Sequence, residues 1–254
     1  MSYALDISGQ YAPDAMGGPL TDDHVRRCLD RGVDRWMVDI APQAEARKQI
    51  EVLARHPVEI QTFRAYEWNS LHGAVDADRK FIEETRRNLY DVQRHWLDLE
   101  SQSRSLLSAM RTADAVSKSS VNIADTDWLI KQFEGVCPTG IYTSPDWWMQ
   151  FMGNTEQFSY MPVWFAHWNG QDSLDMSVPF GGWTRGEMHQ TLANLFVEGV
   201  WCDTNYYEKA PMPPAPNPVP APTDDKPVNP LVAAREFLAA GLALVDGEIA
   251  KQGK

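Results

Sequence analysis

The chain has 254 residues and a formal net charge of −12 at pH 7, from 23 Lys and Arg against 35 Asp and Glu. Such a balance, with a pI near 4.9, argues against nucleic acid as a partner and against adsorption to an anionic membrane, since both need basic patches. With 43% hydrophobic residues and ten tryptophans, the sequence can bury a sizeable core, as one large domain or one domain with an appendage.

No basic stretch followed by an apolar segment opens the chain, and no apolar run is long enough to cross a bilayer. The expectation is a soluble protein made in the cytoplasm, without membrane insertion. Cys28, Cys137 and Cys202 are odd in number and lack metal or redox spacing, so they read as buried thiols.

Taken in order, Tyr3–Ser8 reads as a first strand, followed by a Gly/Pro-rich loop. Thr21 is a good N-cap, with Asp22 and Asp23 in a first turn where the helix dipole favours anions. Val25, Cys28 and Leu29 keep helical spacing, and Gly32 stops that helix. Val33–Ile40 is strand two, Gln43–His56 a helix ended by Pro57, and Val58–Trp68 strand three. Asp78 is expected to open a third helix, whose Phe81, Ile82, Thr85, Leu89 and Val92 form one stripe. Trp96–Glu100 is a short buried strand. A helix is expected around Leu106–Val116, and another through Trp128 and Phe133, ended by Gly135. Strand five is Thr139–Thr143, a short helix or turn starts at Pro145, and strand six is Pro162–Trp168. The Gly181-Gly182 loop leads to strands near Met188–Leu192 and Gly199–Thr204.

Strand–helix alternation that gives way to strands with few helices predicts an α/β fold: an irregular TIM-like (β/α) barrel, depleted of helices in its second half. Residues 1–207 make up this barrel. Residues 208–230 hold nine of the 17 prolines and read as a Pro-rich, semi-rigid linker. Residues 231–254 carry a C-terminal amphipathic helix, with Leu231, Ala234, Phe237, Leu238 and Leu242 at helical spacing. It either docks back on the barrel or meets another copy or a partner protein.

The chemistry is concentrated in Trp96-Leu97-Asp98-Leu99-Glu100. Side chains alternate along a strand, so Asp98 and Glu100 share one face, roughly 6–7 Å apart at the backbone, while Leu97 and Leu99 take the other. Burial and like-charge proximity raise one carboxyl pKa and leave the other acid ionised, which suits hydrolysis of a glycosidic bond. A D-x-E pair by itself is usually just solvated, but solvation here would leave Trp96 and Leu97 exposed. In a barrel of this kind the chemistry sits at the C-terminal strand ends, where Asp6, Asp98, Glu100 and Asp203 all fall.

Five segments together resemble glycoside hydrolase family 25, the Chalaropsis-type lysozymes. They are Ala4–Ser8 with Asp6, Trp96–Glu100, Gly140–Ser144, Val163–Trp168 and Cys202–Tyr206 with Asp203. The resemblance implies an N-acetylmuramidase acting on peptidoglycan or a related amino-sugar polymer, with no cofactor and no metal. It implies Glu100 as general acid, Asp98 as an ionised group that stabilises charge on the sugar or orients its N-acetyl group, and Asp6 and Asp203 as the remaining acids. Tyr66, Trp68, Tyr142, Trp168 and Tyr206 are candidates for stacking on sugar. Gln190 falls where the family carries a Trp-Gln pair, here His189-Gln190. Neither His167 nor His189 has a zinc-ligand spacing, and His167 is expected to pair with a carboxylate. Strands two and three depart from the family pattern, reading Val38-Asp39-Ile40-Ala41-Pro42 and Thr62-Phe63-Arg64-Ala65-Tyr66-Glu67-Trp68. Altered specificity is therefore expected. The rival reading is a saccharide-binding or assembly protein on the same barrel. The expected place of action is a bacterial cell wall, reached at phage lysis or on a virion.

Overall fold

A computed structural model describes residues 2–7, 19–66, 71–88, 90, 92–100 and 115–208. The linker and C-terminal helix expected beyond residue 208, the helix expected at Leu106–Val116, and Trp68 lie outside the described residues.

Two-residue alternation organises what is seen. In β1 (Ser2–Ile7), Leu5 and Ile7 face an outer apolar layer, while Ala4 and Asp6 turn inward. In β4 (Val92–Asp98), Leu97 and Leu99 join that outer layer, whereas Trp96 fills the interior and Asp98 stands above it. Each fully buried leucine contributes about 1.5–3 kcal/mol, which fixes the register: a slip by one residue would put Asp98 into the apolar layer. β2 (Val33–Asp39), β3 (Glu59–Ala65), β5 (Thr139–Thr143) and β6 (Val163–Ala166) complete a parallel wall, ordered β1-β2-β3-β4-β5-β6.

Helices α1 (Asp22–Asp30), α2 (Gln43–Leu53), α3 (Leu71–Arg87) and α4 (Ala115–Phe133) connect the strands of this wall. Thr21 caps α1 as expected, and the box is closed by an unexpected partner: Thr21 Oγ1 accepts from His24 N, and His24 Nδ1 accepts from Thr21 N, both at 3.3 Å. Asp78 does not open α3, which begins at Leu71; Asp78 lies buried in its interior, accepting from Gln43 Nε2 at 3.3 Å.

After β5 the helices thin out, leaving α5 (Pro145–Phe151), capped by Ser144. A small hairpin, β7 (Asp175–Phe180) with β8 (Trp183–Arg185), occupies the place of a connecting helix and was not foreseen. The barrel closes through β9 (Met188–Val197), parallel to β6, and β10 (Val200–Tyr207), antiparallel to both β9 and β1. The eight-stranded barrel is thus mixed, and both closing strands run longer than their hydrophobic pattern suggested.

The interior is filled with side chains. Trp96, Trp164, Tyr142, Met37, Met188 and Tyr207 pack together, with Tyr142 and Trp164 ring centroids 4.4 Å apart. Gly140 permits this, because a Cβ there would lie 2.3 Å from Trp96 Cζ3. The two indoles of this interior layer are satisfied: Trp96 Nε1 donates to Gln61 Oε1 at 2.5 Å and Trp164 Nε1 to Asn205 Oδ1 at 2.8 Å. This plug fills the barrel beneath the hollow at its mouth. The three cysteines are buried free thiols, as expected.

Candidate active site

The hollow at the barrel mouth, of about 210 Å³, is lined by Asp6, Asp39, Asp98, Glu100 and Asp203, over a floor that includes Phe63, Tyr142 and Trp164. The four acids expected from the sequence therefore come together, and a fifth, Asp39, joins them.

The chain reaches the mouth by two routes. Asp6, Asp39 and Asp98 stand at or next to the last residues of parallel strands. Glu100 lies two residues beyond β4, although Leu99 N still donates to Tyr142 O at 3.0 Å and continues the ladder. Asp203 corrects the expectation about strand ends. β10 runs backwards, so its fourth residue pairs with Asp6 and its last, Tyr207, pairs with Ser2 at the closed end.

The acids fall into two differently supported pairs. Asp98 is 4% exposed, and its Oδ1 accepts from Glu100 N at 3.0 Å. Burial, and then the charge of Glu100, pushes the Asp98 carboxyl well above the usual carboxylate range. Burial raises Glu100 too, opposed by hydrogen bonds from the Ser144 hydroxyl and N–H. Burial thus pushes both carboxyls toward the protonated form, Asp98 included, although the resemblance implies an ionised Asp98.

Asp6 and Asp203 are instead joined by an amide. Gln190 Nε2 donates to Asp6 Oδ2 and to Asp203 Oδ2, both at 3.1 Å. Asn205 Nδ2 adds a bond to Asp6 Oδ2 at 2.8 Å, and Asn194 N donates to Asp203 Oδ1 at 2.6 Å. Burial, with the nearby Asp203 charge, still pushes Asp6 up to about 7, and burial raises Asp203. Asp39 is pushed up to about 6 by burial, held back by the N–H of Ala41 and the charge of Arg64.

Gln190 Oε1 accepts from Tyr142 Oη at 2.9 Å and from Trp168 Nε1 at 2.8 Å. Every hydrogen-bonding position of the amide is thereby engaged by protein, so Gln190 orients its neighbours. Trp168 is 64% exposed, and its N–H ties it to Gln190.

Two other expected sugar-stacking residues are elsewhere. Tyr66 follows Ala65, which lines the hollow, so alternation turns it into the outer layer, where its hydroxyl meets His95 Nε2 at 3.0 Å. Tyr206 lies between Asn205 and Tyr207, both of which point inward, so it faces away from the hollow, near the closed end of β10. His167 Nδ1 meets Asn169 Nδ2 at 3.2 Å rather than a carboxylate, and the ring nitrogens of His189 meet the carbonyl oxygens of Ser173 and His167, each at 2.8 Å. Among the described residues no three His, Cys, Asp or Glu side chains are arranged to hold a metal ion.

No family model matches the chain. Among curated proteins, "Probable GH family 25 lysozyme 5" of Dictyostelium discoideum is 24% identical over 151 residues, 59% of this chain and 65% of that protein. "Probable GH family 25 lysozyme 4" of the same organism is 33% identical over 113 residues, 44% of this chain and 48% of that protein. In sequence the chain is similar to these two family 25 lysozymes, at 24% and 33% identity. It spans about half to two thirds of the length of these relatives, 48% and 65%. The fold is also met in a solved structure, the catalytic domain of endolysin ply40 from bacteriophage P40 of Listeria monocytogenes. That structure has a TM-score of 0.51 and 13% identity, covering 82% of this chain and 93% of that one.

Sequence reasoning missed Asp39, Asn205, Asn194 and Trp201. Two of them carried a usable signal: Asp39 shares strand parity with inward-facing Met37, and Asn205 with Asp203.

Proposed function

We propose that this chain is a glycoside hydrolase of the lysozyme type, an N-acetylmuramidase that cleaves the glycan strands of peptidoglycan or a related amino-sugar polymer. The observation that carries the reading is the Asp98–Glu100 pair, whose carboxyls burial pushes toward the protonated form while both line the hollow. A carboxyl that holds its proton near neutral pH can give it to a departing glycosidic oxygen. Glu100 is that donor, placed beyond the strand end and steadied by Ser144. As its proton leaves, positive charge grows on the sugar, and a negative Asp98 becomes the favoured partner, either facing that charge or orienting the N-acetyl group. Asp6 and Asp203, held by Gln190, form the opposite wall and fix the sugar's position. The names of the similar proteins, lysozymes and an endolysin catalytic domain, support this reaction class. We place its action at a bacterial cell wall, as a phage lysin released at lysis or as a virion-associated hydrolase.

The test is loss of turbidity of purified bacterial cell walls, for the native protein and for Glu100→Gln. Clearing by the native protein alone supports the proposal. If neither clears walls while both still bind them, the barrel is a saccharide-binding or assembly unit and the enzymatic reading fails.

A further inference from the structure

Beyond Thr191, β9 leaves its parallel neighbour β6 and continues with β10 alone as a projecting two-stranded arm. Its turn, Glu198-Gly199, has φ of +50° and +93°, the paired positive values of a tight turn whose twist matches a hairpin. The tip is braced: Glu198 Oε1 lies 3.0 Å from Arg31 Nη2 and Oε2 3.5 Å from Arg27 Nε, while Glu198 O accepts from Arg27 Nη2 at 2.9 Å. The arm is therefore a fixed ledge anchored to α1.

One face of this ledge looks onto the hollow. Asn194 and Trp201 both line it, and Phe196 pairs with Trp201 across the ladder, their ring centroids 5.3 Å apart. Phe196 is 53% exposed. An aromatic side chain left half in water on a rigid, braced element is paired with a flat ligand in prospect, because exposure of this kind forgoes burial. The continuity of Trp201 with the acids indicates which ligand: a further ring of the same strand whose reacting sugar fills the hollow. A pyranose presents C–H groups on its flat face, which suit an aromatic surface, and hydroxyls at its edge.

We infer that Phe196 and Trp201 form a second sugar-stacking site on the β9–β10 arm, so that the protein grips a glycan strand over several rings rather than only at the bond that breaks. This rests on the proposed function, and the test separates the two.

Soluble peptidoglycan glycan strands and a tetrasaccharide of alternating N-acetylglucosamine and N-acetylmuramic acid serve as probes, for the native protein, Phe196→Ala and Phe196→Tyr. The expected result is that the strand-to-tetrasaccharide ratio of kcat/KM falls at least fivefold in Phe196→Ala, mainly through KM, and recovers in Phe196→Tyr. An equal fall for both lengths, or no fall, overturns the inference and leaves the enzymatic reading standing. Binding of the same strands to Glu100→Gln, with and without Phe196→Ala, is followed by tryptophan fluorescence. If the native protein cleaves neither probe, strand binding that weakens at least fivefold with Phe196→Ala still supports the arm site while the enzymatic reading fails. A concentration-dependent dimer in sedimentation that Phe196→Ala abolishes, with strand affinity unchanged, shows instead that the arm meets a second copy and overturns the inference.

Discussion

The two carboxylate pairs at the barrel mouth are both buried, yet they are held in opposite ways. Asp98 and Glu100 come from one parallel strand and its extension, with support from main-chain N–H groups and Ser144. Asp6 and Asp203 come from antiparallel neighbours and are bridged by a carboxamide that is itself bonded on every side. The difference separates two tasks. The pair that passes a proton has no carboxamide bridging its two carboxyls, and burial outweighs the few donors that each one meets. A pair that must stay in place is tied by groups that do not titrate in the ordinary pH range.

The sharpest way to break this comparison is to neutralise each pair in turn. Glu100→Gln, and Asp98→Asn beside it, should lower kcat by about 10²–10⁴-fold with the fold intact by circular dichroism, as expected for loss of general acid catalysis. An equal loss from Trp168→Phe, which touches only the second pair's clamp, would erase the distinction. Gln190→Glu comes next. It replaces the bridging amide by a third carboxyl and should destabilise the protein by about 3–5 kcal/mol at pH 8. The deficit should shrink toward pH 4 as the cluster protonates, which thermal melts across that range would report.

Asp6→Asn tests the same clamp with the opposite sign. The folded carboxyl is pushed up to about 7, above its unfolded value of 3.8, so the folded protein holds the proton more tightly. Stability is therefore undiminished below about pH 4 and falls as pH rises toward 7. Asp6→Asn keeps a carbonyl to accept from Gln190 and Asn205, and it should raise stability by roughly 2–4 kcal/mol at pH 8, with the gain vanishing by pH 4. A gain that does not change with pH would mean the shift has been misassigned. The smallest effect is expected from Trp168→Phe, which loses one hydrogen bond to Gln190 Oε1 at 2.8 Å and should cost about 1 kcal/mol in chemical denaturation.

What was legible in the sequence follows the reach of local pattern. Strand five was read with its observed bounds, and the inward and outward faces of Trp96–Glu100 followed from alternation alone. The grouping of Asp6, Asp98, Glu100 and Asp203 followed from the barrel and the ordered motifs. Direction was harder to see. Nothing local to Cys202–Tyr206 states that its strand runs against the others, so Tyr206 was placed at the mouth when it belongs near the closed end. The Glu198-Gly199 turn between two apolar runs was the available hint of a hairpin. Tyr66 differs for another reason: an aromatic ring just past β3 is a fair candidate for stacking, but its parity relative to Ala65 sends it outward. Asp39 was noted only as a departure from the family pattern, although its position at the end of β2 places it beside the other acids.

The buried thiols carry a practical consequence. Burial pushes Cys28 up to about 11 and raises Cys137 and Cys202 as well, so none supplies an appreciable amount of reactive thiolate at neutral pH. Maleimide or spin-label chemistry should therefore pass over the native chain. A single cysteine placed on the ledge by Phe196→Cys would then take up the reagent alone, giving a spectroscopic probe of whether polymer reaches that surface.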